Sequence, residues 1–352
     1  VNDQSFRNLV SGQSKGITAT VFLAGLSALS ALYRPVLSFR NWSYDKGLFS
    51  ASRVTVPVIS VGNITLGGTG KTPFVSYLTV WFQQRGRKVA VISRGYGSHA
   101  GALNDEGALL EKNLPGIIQL QGKDRVTLAK QAISVHGADI VILDDGFQHR
   151  RLARDLDILL MDSLAPFGGR KVFPRGMLRE SLYGMARADL MVLSRADLDT
   201  PEKREGIWKE LGRYCGGEPS RVEVRQVPVE LRNSSGKREN LEVLTNKRVA
   251  AFSGIGNPDG FRKTLAKLNY DLQAWEVFPD HHRYTKRDCA KLESWVRKSG
   301  VDAVVTTEKD LVKWQCDHLA GCSLWALAIE ADVMTGKQVL EHCLQTIMSL
   351  QK

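Results

Sequence analysis

The stretch VGNITLGGTGKTPFV, residues Val61–Val75, closes an apolar, β-branched run and passes through Gly67, Gly68 and Gly70 into Lys71-Thr72. The phosphate-loop pattern asks for Gly, four residues, then Gly-Lys-Ser/Thr. Its distal half is intact in Gly70, Lys71 and Thr72, while Thr65 occupies the position of the first glycine. Context supplies what the motif lacks. RVTVPVISVGN upstream reads as a strand, and PFVSYLTVWFQQRG downstream has helical spacing with a stop at Gly86. Gly67 and Gly68 remove side chains where a phosphate must approach backbone amides. Thr65, Leu66, Gly67, Gly68, Thr69, Gly70, Lys71 and Thr72 are therefore the candidate cradle for a nucleotide triphosphate. In it Lys71 would reach the outer phosphates and the Thr72 hydroxyl would ligate Mg²⁺.

Outward from the loop, KVAVISRGYG, ADIVILDDGFQH, LDILLMDS and ADLMVLSRADL read as buried strands, with RVTLAKQAISVHG as a helix among them. Nearly all-apolar strands alternating with helices indicate a parallel sheet covered on both faces, which binds ligands at the carboxyl ends of its strands. RVAAFSGIGNPDGFRKTLAKL opens a new strand-turn-helix unit, and VDAVVTTEKD adds another apolar strand. The expected fold is α/β: a P-loop NTPase-like parallel-sheet domain, a second, smaller α/β domain and an N-terminal amphipathic helix. The expected division is an N-terminal segment over 1–50, the P-loop core over 51–220, an extended linker or hairpin over 221–246, and the smaller domain over 247–352.

Length and composition agree with this. The chain has 352 residues, 43% hydrophobic and 24% charged, enough for two buried cores. A formal charge of +11 favours an anionic partner, whether nucleic acid, a phosphorylated small molecule or an acidic membrane. Five cysteines without CxxC spacing argue against a disulfide framework or a zinc site, and for a reducing compartment. The longest apolar run, ITATVFLAGLSALSALY (Ile17–Tyr33), lies between Lys15 and Arg34. On a helix, Ile17, Val21, Phe22, Leu26, Leu29, Leu32 and Tyr33 share one half, with Thr20, Ser27 and Ser30 opposite. Two readings compete: a helix lying in a membrane interface, or one packed on the protein's own core. The chain begins at Val1, so a targeting segment upstream of it would be invisible here.

The strand IVILDDGFQH ends in Asp144-Asp145, adjacent carboxylates that repel unless a cation or their orientation separates them; Mg²⁺ near Thr72 would be that cation. VLSRADL is similar to the Asn-Lys-x-Asp strand end with which GTPases read guanine, but Ser194 and Arg195 stand in place of Asn and Lys. Further signals are SRGYG, Asp105 and Glu106 in NDEG, Arg125, Arg175, Arg179 and Glu180 in PRGMLRE, and Asp280, His281 and His282 in FPDHHRY. Together they supply an acid able to accept a hydroxyl proton, a histidine to tune it, and arginines for an anionic substrate.

VGNITLGGTGKTPFV, SRGYG, DDGFQHRRLARDLDILLMD, PRGMLRE, SGIGNP, FPDHHRYT and TTEKDLVK occur in an order that resembles the tetraacyldisaccharide 4'-kinase family, from about Leu32 to Lys313. The resemblance implies ATP-dependent phosphorylation of the 4'-hydroxyl of a tetraacylated glucosamine disaccharide 1-phosphate. It also implies two α/β/α domains and an N-terminal helix on the membrane surface. Carried over position by position, it puts the proton-accepting acid at Asp105 and its histidine partner at His281. Asp144, Asp145 and His149 become the metal and active-site groups, with Asp144 beside Thr72 on the metal, and Glu106, Arg125 and Asp280 become lining residues. With Lys71 in one domain and His281 in the other, an active site between domains is expected. Where family members usually read Gly-Asp-Glu-Pro, this chain reads Asn104-Asp105-Glu106-Gly107, which keeps the carboxylates and frees the backbone.

The expected partners are the acylated disaccharide lipid and a membrane surface met peripherally, without nucleic acid, and the chain is expected to be a monomer. The expected location is the cytoplasmic face of a bacterial inner membrane, or the mitochondrion of a eukaryote such as a plant. The competing functions are a P-loop GTPase-type switch and a nucleotide-regulated membrane adaptor.

Overall fold

The structure, a computed structural model, describes residues 6, 9, 10, 16–95, 104–280, 282–314 and 316–350. The chain forms two compact units: Val1–Ala100, Leu114–Arg225 and Ala331–Lys352 make the first, and Gly101–Asn113 with Gln226–Glu330 make the second.

In chain order the elements are helix α1 (Ile17–Asp45), β1 (Val58–Gly62), α2 (Lys71–Gln83), β2 (Val89–Ser93), α3 (Asp105–Asn113), β3 (Ile118–Gln121), α4 (Arg125–Ser134), β4 (Ile140–Asp144), β5 (Leu156–Asp162), β6 (Leu190–Ser194), α5 (Pro201–Cys215) and β7 (Arg221–Arg232). The strands of the first unit run in the order β7-β6-β5-β1-β4-β2-β3, every pair parallel. β1, β2, β4, β5 and β6 are buried along their whole length, as their largely apolar sequences require, and the one carboxylate inside β5, Asp157, is paired with Arg154 at 2.8 Å. Alternate residues feed two cores: Val141 and Leu143 pack with Val58, Ile92 and Ala129, whereas Leu159 and Met161 pack with Phe147, Leu193 and Trp208. β1 lies between β4 and β5, and its Val61 is in register with Asp144 of β4, so the carboxyl end of β1 meets the acidic turn. A Cβ at Gly62 would lie 2.6 Å from the Phe147 backbone nitrogen, so only glycine lets the Asp-Asp-Gly-Phe turn sit this close to the strand.

The remaining elements are β8 (Arg238–Glu239), β9 (Arg248–Ser253), α6 (Pro258–Lys267), β10 (Asp271–Val277), α7 (Lys286–Ser299), β11 (Ala303–Thr307), α8 (Glu308–Leu311), β12 (His318–Leu319), β13 (Cys322–Thr335) and α9 (Lys337–Ser349). In the second unit β10, β9, β11 and β13 are parallel neighbours in that order, with β12 antiparallel on β13. Cores form on either side around Phe252 and Val304, and around Ala251 and Val305.

Three features depart from the linear division expected above. The segment expected as a linker begins with a sheet strand: β7 pairs in parallel with β6 before its far end turns into the β8 hairpin. Residues 101–113 belong to the second unit, where Glu106 meets Lys309 and Asn113 donates to Glu308 at 3.2 Å. Residues 331–352 return to the first unit, where Asp332 pairs with Arg225 at 2.7 Å and α9 buries Leu340, Leu344 and Ile347.

Helix α1 continues through Pro35 to Asp45, beyond the apolar run that marks it in the sequence. Its second half is fastened to the first unit: Asn41 donates to Glu180 at 3.0 Å and Arg150 pairs with Asp45 at 2.7 Å. Ser30 Oγ is buried and donates to the Val172 carbonyl at 2.9 Å, which puts one hydroxyl of the polar side against the protein. Ile17, Val21, Phe22, Leu29, Leu32, Tyr33, Val36, Phe39 and Trp42 are exposed. Only 6% of its most apolar window is buried, so packing on the protein's own core does not account for this surface. By length and composition the helix could cross a membrane.

Candidate active site

Asn63, completely buried, organises the loop that follows β1: its Nδ2 donates to the Thr65 carbonyl at 2.7 Å, and its Oδ1 accepts from Lys71 Nζ at 3.1 Å. The loop is laced to PRGMLRE, with the Leu66 amide donating to Met177 O and the Arg179 amide to Ile64 O, each at 2.7 Å. Gly67 and Gly70 take positive φ, 111° and 79°, so the turn needs residues without a Cβ. Gly70 is the N-cap of the 13-residue α2 and provides no side-chain cap, which leaves the first amides of that helix facing a would-be anion.

Lys71 Nζ also lies 3.3 Å from Asp145 Oδ1, and Arg179 donates to Asp145 Oδ2 at 2.6 Å. Asp145 has φ 56°, a left-handed backbone conformation that aspartate tolerates better than most residues. Burial alone would raise the Asp145 carboxyl, but Lys71, Arg179 and Arg125 outweigh it and hold the group well below the usual carboxylate range. Arg125, buried at the start of α4, donates to the Asp145 carbonyl at 2.9 Å. Asp144 (3% exposed) and Thr72 (8% exposed) are buried at the ends of β4 and of the loop. Among the described residues no cluster of three or more His, Cys, Asp or Glu side chains could hold a metal. A cation here would take few protein oxygens and complete its shell with phosphate, which is how Mg²⁺ accompanies a nucleotide; the residues fit that group.

His149 follows on the same turn. Burial, and then Arg125, Arg154, Arg151 and Arg40, push its imidazole down to about 4, so it is neutral at pH 7. Its Nε2 is buried without a hydrogen-bond partner among the described residues, an atom a bound ligand would satisfy. The folded state resists protonating His149 while an unfolded histidine titrates near 6.5, so this group's contribution is complete above about 6.5 and falls as pH drops toward 4. Thermal midpoints measured from pH 7 to pH 5 should therefore fall less steeply in His149→Gln than in the wild type. Parallel profiles would mean that the imidazole is not held neutral.

Asp105, Glu106 and Asp280 belong to the second unit. Asp105 opens α3, whose start is capped by Asn104 Oδ1 accepting from the Gly107 amide at 2.9 Å. Glu106 pairs with Lys309, and Asp280 is half-buried in the turn after β10. His281, and Tyr96 and Gly97 of SRGYG, lie outside the described residues. The neighbouring His282 lies 3.1 Å from Asp288, the residue that completes the capping box of α7, and stacks on Phe278. Sequence reasoning gave no role to Asn63 or to Gln148, which donates to the Asn63 carbonyl at 2.9 Å and to Glu180 at 3.0 Å. Both stood inside the quoted motifs, but a neutral amide has no spacing signature.

A glycine loop opening a helix at the end of a parallel strand, with a lysine across from the carboxylates of the next strand, defines the P-loop class of nucleotide-binding α/β proteins. Residues 22–349 match the sequence profile of the Tetraacyldisaccharide-1-P 4'-kinase family, LpxK. The chain is 40% identical over 343 residues to the tetraacyldisaccharide 4'-kinase of Anaeromyxobacter dehalogenans strain 2CP-C, covering 92% of this chain and 90% of that one. It is 36% identical to the same enzyme of Syntrophus aciditrophicus, covering 92% of each. A crystal structure of LpxK from Aquifex aeolicus in complex with ATP superposes with a TM-score of 0.72 at 30% identity, over 93% of this chain and 99% of that one. The chain belongs to the tetraacyldisaccharide 4'-kinase family.

Proposed function

We propose that this chain is an ATP-dependent lipid kinase that phosphorylates the 4'-hydroxyl of a tetraacylated glucosamine disaccharide 1-phosphate, a step of lipid A biosynthesis. The observation that carries this reading is the Lys71 ammonium held between Asn63 and Asp145 at the mouth of the glycine loop, in a chain of this family. ATP supplies the phosphoryl group, and Mg²⁺ offsets the charge on its phosphates. Thr72 and Asp144 would hold that ion, the amides of residues 67–71 would bind the phosphates, and Lys71 would neutralise the group in transfer. Asp145, kept ionised by its cationic neighbours, steadies Lys71. Asp105 accepts the proton of the acceptor hydroxyl. An ordinary aspartate, near 3.9, is a weak base for an alcohol, and pairing with His281 lets the proton pass to a group near 6.5. In the first unit Arg125 and His149 line the phosphate site, while Glu106 and Asp280 of the second unit are assigned to the acceptor by the family resemblance.

The test is transfer of label from γ-labelled ATP to the disaccharide acceptor, followed by mass mapping of the phosphorylated position. Label on the 4'-oxygen is the expected result. Label released only as free phosphate in the presence of acceptor overturns the assignment.

The acceptor is acylated, so the enzyme must meet lipid, and α1 offers the exposed apolar surface for it, which supports membrane association. Each Å² of that surface taken out of water contributes roughly 25 cal/mol, and each basic flank about 1 kcal/mol on an anionic bilayer. Replacing Val21, Leu29 and Leu32 together by Asp should weaken binding to anionic vesicles and raise KM for the lipid while leaving ATP affinity unchanged. Vesicle binding equal to that of the wild type would show that α1 does not engage the bilayer.

A further inference from the structure

The Ser-Arg-Ala-Asp strand end, similar to a guanine-reading motif in sequence, is tied to the phosphate loop. Arg195 is 8% exposed and, at φ 53°, takes a left-handed backbone conformation that a side chain rarely adopts. Nη1 and Nη2 of its guanidinium each donate to the Gly68 carbonyl at 3.1 Å. The same Nη1 makes a short ion pair with Asp162, the last residue of β5. One residue earlier, Ser194 Oγ donates to the Thr69 carbonyl at 2.6 Å, and Ser163 Oγ fixes the Arg195 carbonyl at 2.8 Å. The carbonyls of two consecutive loop residues are thus held by donors from one strand end.

A loop that binds an anion through its amides must turn its carbonyls away from the anion, and a flexible glycine loop does so only when those carbonyls have donors of their own. We infer that Arg195 and Ser194, with Asp162 orienting the guanidinium, are positioning residues that hold the Gly68 and Thr69 carbonyls so that the loop amides face the nucleotide phosphates. The inference rests on reading residues 65–72 as the phosphate loop. It gives the strand end a role in nucleotide affinity for which base recognition is not needed. A planar guanidinium suits the task better than the lysine of the motif it resembles, because both terminal nitrogens reach one carbonyl while the fork also meets a carboxylate.

The test compares Mg-ATP affinity by calorimetry, and KM for each substrate, in the full chain carrying Arg195→Met, Arg195→Lys or Ser194→Ala, with Lys71→Ala as reference. Arg195→Met should weaken ATP binding and raise KM for ATP about tenfold, the loss expected for a charge-assisted hydrogen bond, with KM for the lipid unchanged. Arg195→Lys should recover part of that loss, since an ammonium still reaches the Gly68 carbonyl. A folded Arg195→Met with wild-type ATP affinity, or with equal rises in both KM values, overturns the inference. If Arg195→Met does not fold, Ser194→Ala decides: a several-fold loss of ATP affinity supports it and no loss overturns it. Should Lys71→Ala bind ATP as the wild type does, the phosphate-loop reading itself fails, whatever Arg195 does.

Discussion

Replacing Lys71 by alanine lowers kcat by on the order of 10²-fold or more, the loss expected when one preorganised donor is removed from a site of developing charge. The fold should survive, because Asp145 keeps Arg179 at 2.6 Å and Asn63 keeps its bonds to Thr65. The missing ammonium would otherwise meet the phosphate oxygens as they gather charge in the transition state. The measurement is steady-state transfer of label from ATP to lipid, with a thermal midpoint to establish folding. A folded variant with near wild-type turnover would remove Lys71 from the chemistry.

The second large effect concerns proton removal. Asp105→Ala and His281→Ala should each reduce kcat by about 10²–10⁴-fold, the range of general-base contributions. The double variant should be little worse than the poorer single one, because residues that act as a unit are not additive. Losses that multiply would show that the two do not share a proton. The outcome is independent of the Lys71 test, since ATP binding should be retained in all three variants.

The sheet of the first unit is legible in the sequence because β1, β2, β4, β5 and β6 are short and largely apolar. β3, with the sequence IQLQ, is only half-buried and carries too weak an apolar signal to read. The phosphate loop and the Asp144-Asp145 turn were legible because strand, glycines and charges are contiguous. Asn63, Gln148 and the hold of Arg195 on Gly68 were not, since each depends on partners brought together only by folding. The placement of α3 and α9 was hidden for the same reason: Glu106 with Lys309 is separated by about two hundred positions, and no local pattern records such a return.

The route of the chain also sets an order of assembly on the ribosome. The first unit is left twice, for Gly101–Asn113 and again for Gln226–Glu330, so the second unit is built from two insertions within it. Domains tend to become compact as they emerge from the exit tunnel. Here the residues that carry the phosphate loop emerge early, yet their unit still lacks α9 and its buried Leu340, Leu344 and Ile347 until nearly all of the described chain has been made. The inserted unit is complete by Glu330 and can close first. A premature stop around position 335 would therefore damage most the unit that was synthesised first, leaving a nascent nucleotide site with an unfilled core while the later-made unit remains whole.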